Sequence, residues 1–265
     1  MKHKLSIITI NFNNKPGLVK TTQSVFEQTF KDFEYLIIDG GSSDGSESYI
    51  ELNKEKFSYY VSEPDMGIYN AMNKGIRKAN GEYLLFLNSG DVLLNNEILQ
   101  KNHSHLNEQK DIVYFDIYYG SEDYKHRLVK YPDHLRFYFF YNNTICHQAV
   151  FFKRKLFSDF GLYDETLKIL ADWKFLIIAI TKFNSSYIHI NDACCLFNNE
   201  GISSSQANRK LLYKERLQVM EEEFPAFARD YEVLHKIIKF SYKYKLYKFK
   251  TVLTYFKKIS GVLKK

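Results

Sequence analysis

Four short runs of aliphatic, β-branched and aromatic residues, at 5–11, 33–38, 57–61 and 83–87, limit what this chain can fold into more than any other feature. They lack the alternation of a strand with one wet face. The first two read as strands buried on both sides, the habit of parallel sheets, and the other two as strands beside them. Segments with helical spacing lie between them: 18–28 after a break at Pro16 and Gly17, then 46–53, then 68–79, which Asn80 and Gly81 stop. This β-α-β-α-β-α-β order predicts an α/β fold with a mostly parallel central sheet covered on both sides by helices. Ligands of such sheets sit at the carboxyl ends of the strands.

Beyond residue 111 the pattern is less regular. A strand is expected over 111–119, with 125–131 pairing to it, and another over 149–153. Helical spacing covers 172–182, and two short strands follow at 187–191 and 194–197. Residues 206–222 and 226–258 read as helices. The domain division that results is an α/β domain over 1–205 and a helical extension over 206–265.

Charge divides at nearly the same place. The net charge is +6, yet residues 236–265 hold ten of the 37 basic residues and no acidic one. The remaining 27 basic residues face 31 acidic ones, so the body is mildly acidic and is not expected to bind nucleic acid. The basic run interleaves Lys with Tyr, Phe, Leu and Ile, the composition of an interfacial helix that seeks an anionic membrane surface. A lysine face turned to water would look the same. No window of 18 consecutive apolar residues exists to span a bilayer, and residues 1–6 are too short and polar for a signal peptide. Cys146, Cys194 and Cys195 have no metal-ligand spacing, and adjacent cysteines rarely form a structural disulfide, which suits a reducing cytoplasm.

The strand ends carry the chemistry. The first ends in Asn11-Phe12-Asn13-Asn14, and the second runs into Asp39-Gly40-Gly41-Ser42-Ser43-Asp44-Gly45. The third leads to Glu63-Pro64-Asp65-Met66-Gly67, and the fourth ends in Asn88-Ser89-Gly90-Asp91. Polar and acidic groups thus converge on one edge of the expected sheet. A carboxylate after a buried strand suits a ribose hydroxyl or a base N–H. One at Asp91 suits a divalent cation bridging two phosphates, since hard cations take oxygen ligands. Taken singly, each piece is equally a turn or a helix cap. Their joint placement is what argues for a site.

The segments "LSIITINFNN", "FEYLIIDGGSSDGS", "SEPDMGIYNAMNKGIRKANGEYLLFLNSGD", "ICHQAVFFKR" and "ADWKF" resemble a family 2 glycosyltransferase of the GT-A fold, of the type that builds bacterial surface polysaccharides. The resemblance covers residues 5 to about 200. It implies an inverting enzyme that takes a sugar from a nucleotide diphosphate, UDP above all, and passes it to a hydroxyl of a glycan or lipid-linked acceptor at the inner face of the cell membrane. Asp39 matches the nucleoside ligand. Asp91 matches the last residue of the metal signature, holding Mn²⁺ or Mg²⁺, and Asp172 matches the catalytic base. Asn11, Asp65, Asn73 and Asn88 line the donor pocket by the same matching. His147 and Gln148 lie in a segment that borders the acceptor or the donor sugar, and Trp173, next to the base at a helix start, suits a stack on a sugar ring or a place in the core.

One departure stands out. Many relatives have Asp where this chain has Gly90, and some have Asp at Asn88, so the acidic cluster shrinks to Asp91. Tyr69 suits either a stack on the base or the core, and Asp172 suits a helix cap as well as a base. A catalytically degenerate transferase fold acting as a membrane scaffold or sugar-binding module is the rival reading. A dinucleotide-binding oxidoreductase needs a Gly-x-Gly-x-x-Gly turn after the first strand, and Asn11-Phe12-Asn13-Asn14 is not one.

Overall fold

The computed structural model describes residues 3–107, 109–120, 127–198 and 206–243. The chain divides into two compact units, Met1–Leu212 and Tyr213–Lys265. In chain order the elements are β1 (Leu5–Asn11), α1 (Lys15–Phe26), β2 (Phe33–Asp39), α2 (Ser46–Leu52), β3 (Tyr59–Ser62), α3 (Ile68–Lys78), β4 (Tyr83–Phe86), β5 (Val92–Leu93) and α4 (Ile98–Asn102). There follow β6 (Ile112–Gly120), β7 (Arg127–Val129), α5 (Phe137–Asn142), β8 (Val150–Lys153), α6 (Lys155–Asp159), α7 (Ala171–Thr181) and β9 (Tyr187–Asn198). Helices α8 (Arg209–Glu223) and α9 (Pro225–Lys243) complete the described chain.

Among the described residues the sheet has nine strands in the order β3-β2-β1-β4-β8-β6-β9-β5, with β7 paired to β6. The first four are mutually parallel, β9 is parallel to β6, and β8 runs antiparallel between β4 and β6. All seven residues of β1 and all four of β4 are buried, which is why their sequences read as unbroken apolar runs. Because β8 is reversed, the residues just before it stand at the same edge as the carboxyl ends of β1, β2 and β4. A segment entering β8 therefore joins the ligand edge, although it precedes its strand.

Several local expectations change. Pro16 and Gly17 do not break the chain; they form the first turn of α1. Proline at this position loses no hydrogen bond, and the Asn14 side chain caps the turn by accepting from the Gly17 N–H at 3.1 Å. The two short strands expected at 187–191 and 194–197 are one strand, β9. A bulge opposite Phe115 and Asp116 shifts its register, which hides the period in the sequence. Elements β5, α4, α5 and α6 are too short to leave a periodic signal.

At the opposite edge of the sheet the Glu34 carboxylate accepts from the Ser6 hydroxyl at 2.6 Å and from the Gly81 N–H at 3.0 Å. It pins the turn between α3 and β4 to the start of β1. In the second unit Pro225 opens α9, and the rings of Tyr213 and Tyr231 stack at 6.4 Å. Most of the basic run expected from 236, from 244 onward, lies outside the described residues.

Candidate active site

The carboxyl edge of the sheet carries a belt of hydrogen-bonded side chains that begins at β2. Asp39 is fully buried. Among the described residues its two oxygens accept four hydrogen bonds: from the Asn11 amide (2.6 Å), the Ser42 hydroxyl (2.6 Å), the Ser42 N–H (2.9 Å) and the Ser62 hydroxyl (2.6 Å). Burial opposes the charge, but the bonds from Ser42, Ser62 and Asn11 outweigh it and hold the carboxyl below the ordinary aspartate range. Asn11 also accepts from the Ser89 hydroxyl at 2.7 Å, so the belt passes from β2 through β1 to the loop after β4.

Gly40 floors this end. A Cβ there would lie 2.5 Å from Asp65 Oδ2 and 3.1 Å from the Phe12 ring, so the backbone itself is the surface between them. Phe12 is 65% exposed, unlike the buried residues of β1 that precede it. The sequence reading passed over it. The available signal was an aromatic residue set among three asparagines just past a buried strand.

The loop 88–91 is gripped from α1. The Thr21 hydroxyl donates to the Asp91 carbonyl at 2.8 Å and accepts from the Gly90 N–H at 2.9 Å, while the Asn14 amide donates to the Ser89 carbonyl at 3.0 Å. Gly90 sits at φ +104, a conformation that aspartate rarely adopts. The missing carboxylate is thus the counterpart of a loop path only glycine takes easily. Asp91 is nearly buried, and its Oδ2 accepts from the Gln148 amide at 2.9 Å. Gln148 Oε1 and Asn88 Oδ1 are buried and have no hydrogen-bond partner among the described residues. These two unpartnered amide oxygens belong to residues that adjoin Asp91, one in its loop and one bonded to its carboxylate, and oxygen is the donor type a hard cation takes. Among the described residues no group of three or more His, Cys, Asp or Glu side chains is placed to hold a metal, so Asp91 is the charged one of these three residues.

The third part of the belt surrounds Asp172, in the first turn of α7. Its Oδ1 accepts from the Trp173 N–H at 2.8 Å and lies 3.0 Å from the Tyr69 hydroxyl; its Oδ2 accepts from His147 Nδ1 at 3.1 Å. The other imidazole nitrogen of His147 faces the Asn88 amide at 3.0 Å, which connects Asp172 to the 88–91 loop. Burial first, and then the charge of Asp172, push the Tyr69 hydroxyl well above the ordinary phenol range. It stays protonated, and its one proton is shared between Asp172 Oδ1 and the Ile169 carbonyl, which is the nearer acceptor at 2.5 Å. The side chains of His147 and Asp172 keep 13% and 15% of their surface exposed, enough for a small group to reach them.

Asn11, Asp39, Asn88, Asp91, His147, Gln148 and Asp172 therefore meet along one edge, with Asp65 against Gly40. Two residues of the expected site do not join them. Asn73 is 1% exposed and clamps a distant loop, exchanging hydrogen bonds with the Tyr163 backbone at 2.9 and 3.0 Å and donating to Glu165 at 2.8 Å. Trp173 was expected beside a sugar. It is completely buried, and its indole N–H donates to the Phe140 carbonyl at 2.9 Å, so it has no face for a ligand. Tyr69, left open between core and ligand, packs inward and meets the site only through its hydroxyl.

Residues 6–161 match the family model described as glycosyl transferase family 2. A PGL/p-HBAD biosynthesis glycosyltransferase of Mycobacterium tuberculosis is 32% identical over 192 residues, covering 70% of this chain and 73% of that protein. The cholesterol galactosyltransferase of Borreliella burgdorferi is 35% identical over 92 residues, 34% of this chain and 26% of its own. Among solved structures, S. aureus TarS 1-349 in complex with UDP-GlcNAc superposes with a TM-score of 0.67 at 21% identity, over 83% of this chain and 66% of that one. The mannosyltransferase PcManGT from Pyrobaculum calidifontis, in complex with GDP-Man and Mn²⁺, superposes with a TM-score of 0.60 at 15% identity, over 86% and 65%. This chain spans less than two thirds of either solved protein. These likenesses establish the fold as that of the GT-A glycosyltransferases.

Proposed function

Since the chain belongs to glycosyl transferase family 2 and is a glycosyltransferase, we propose that it moves a sugar from a nucleoside diphosphate, UDP first among them, to a hydroxyl group in one displacement that inverts the anomeric carbon. The observation that carries this reading is the carboxylate of Asp172, held on both oxygens and still reachable, at the edge that also bears Asp91. The acceptor O–H gives its proton to Asp172 as the oxygen bonds to the anomeric carbon. The bond from that carbon to the diphosphate oxygen breaks, and its electron pair leaves on the nucleoside diphosphate.

The other residues position the donor. Phe12 and Gly40 offer an aromatic face and a flat floor for the nucleobase, with Asp65 at its rim. Asp39 orders the loops beneath it; the Ser42 and Ser62 hydroxyls can rotate to free an oxygen for a base N–H or a ribose hydroxyl. Mn²⁺ or Mg²⁺ fits at Asp91, where the Asn88 and Gln148 amide oxygens would complete its protein ligands. When bound, such an ion neutralises charge that develops on the leaving diphosphate.

The acceptor is proposed to be a glycan or a lipid-linked alcohol. A relative named as a cholesterol galactosyltransferase supports a lipid-like class. The lysine-rich run 236–265 supports a peripheral position on an anionic membrane at the cytoplasmic side, where each lysine contributes about 1 kcal/mol near the surface. No described helix is long and apolar enough to cross a membrane. Calorimetric titration with UDP, GDP and dTDP, each with and without Mn²⁺, tests the donor reading. Metal-dependent binding of one nucleotide is the expected result; binding of none of them overturns it.

A further inference from the structure

We propose that His147 is a positioning residue that orients the Asp172 carboxylate and couples it to the loop carrying Asp91. This deepens the reading of Asp172 as the base and rests on it. An ionised carboxylate can only accept a hydrogen bond, so the contact to Asp172 Oδ2 at 3.1 Å places a proton on His147 Nδ1. An amide nitrogen can only donate, so the contact from Asn88 Nδ2 at 3.0 Å leaves Nε2 bare. One neutral tautomer satisfies both neighbours, and the two neighbours together select it.

The position of His147 in the chain gives this its reach. His147 and Gln148 are adjacent in the short 3₁₀ turn that enters β8. The first holds Asp172 and the second donates to Asp91 at 2.9 Å. A single turn, fixed by a strand in the middle of the sheet, thus grips the carboxylate of the proton-accepting side and that of the phosphate side. The Trp173 N–H and the Tyr69 hydroxyl hold the other oxygen of Asp172, so His147 decides the direction in which Oδ2 points. His147 does not change its own protonation during transfer; the acceptor's proton stays on Asp172.

The test separates the two nitrogens. The amide nitrogen of Asn can stand near Nδ1 of the imidazole it replaces, and the amide oxygen of Gln can stand near Nε2, where it accepts from Asn88. His147→Asn therefore keeps a donor for Asp172, while His147→Gln keeps only the link to Asn88. The assay is hydrolysis of whichever of UDP-glucose, UDP-N-acetylglucosamine and GDP-mannose the wild-type chain turns over. His147→Gln should lose about 10- to 100-fold in kcat with donor KM nearly unchanged, the scale of an ångström-sized misplacement of a catalytic group. His147→Asn should recover most of that loss. Equal kcat in the two variants, whether low or high, overturns the proposal.

Asp172→Asn distinguishes this failure from that of the underlying reading. If that variant turns over normally, Asp172 is not the base and both ideas fall. If it is inactive while the His147 variants match each other, only the positioning role falls. A second measurement needs no donor: imidazole ¹⁵N spectra of the full chain at pH 8. A proton on His147 Nδ1 that moves to Nε2 in Asp172→Ala supports the proposal. A bare Nδ1 in the wild-type chain overturns it.

Discussion

The two ends of the site treat their carboxylates in opposite ways. Asp39 at the nucleoside end is fully buried and accepts four hydrogen bonds from three neighbouring residues, so its lone pairs are occupied. Asp172 at the proposed reacting end accepts three, from Trp173, Tyr69 and His147, and remains partly open. The first arrangement makes a carboxylate a structural anchor, stable as an anion and slow to accept a proton. The second keeps one oxygen steered and available. A carboxylate at a strand end or helix start is the same letter in both cases, and its partners separate the roles.

The contrast can be broken or sharpened by experiment, beginning with the largest effect. Asp172→Asn should lower turnover by roughly 10²- to 10⁴-fold, the usual share of a general base, with nucleotide affinity unchanged by calorimetry. A matching loss of affinity would make Asp172 part of the donor site and erase the division between the ends. Asp39→Asn should act mainly on the fold, costing about 2–3 kcal/mol in urea unfolding because hydrogen bonds to a buried charge are lost.

The same contrast has a pH signature. The Asp39 carboxyl is held below its ordinary range in the folded chain, so its stabilising effect is complete above the unfolded value and disappears as pH falls through the folded one. Wild-type stability should therefore drop on acidification below the ordinary aspartate range, and Asp39→Asn should show a shallower drop. Parallel curves for the two proteins would deny Asp39 its anchoring role.

Two smaller effects follow. Phe12→Ala should weaken nucleotide binding by about 1–2 kcal/mol, the order of an aromatic stack on a base, without altering thermal stability. Gly90→Asp, which restores the residue many relatives carry, should destabilise the chain by about 1 kcal/mol through its positive φ, readable as a lowered midpoint in urea. A more stable Gly90→Asp protein would mean that the loop path is not what selects glycine.

Much of this was legible in the sequence, and the reasons are physical. Burial on both faces makes β1, β2 and β4 nearly pure apolar runs, so both the strands and the polar residues that end them could be read directly. Asp39, Asp91 and Asp172 were singled out that way, with the family resemblance, and the structure places them along one edge of the sheet. Side-chain partnership was not legible. His147 and Asp172 are 25 residues apart and come from different elements, and Asn73 meets Tyr163 across 90 residues. Trp173 was misplaced because an aromatic at a helix start looks the same whether its ring faces a cleft or the core. The path of β9 was hidden by its bulge, which breaks the period of two.

The stitching of the site has a consequence for the order in which the protein forms. Thr21 holds Asp91 across 70 residues, and Tyr69 reaches Asp172 across 103. Contacts this distant in the chain close late, after the strands between them have paired. A growing or partly folded chain can hold β1, β2 and their Asp39 anchor while the segment that ends in α7 is still unmade. A foothold for the nucleoside can therefore form before metal-dependent nucleotide binding and turnover during refolding, and the interval between them would time the docking of the chain's second half onto its first.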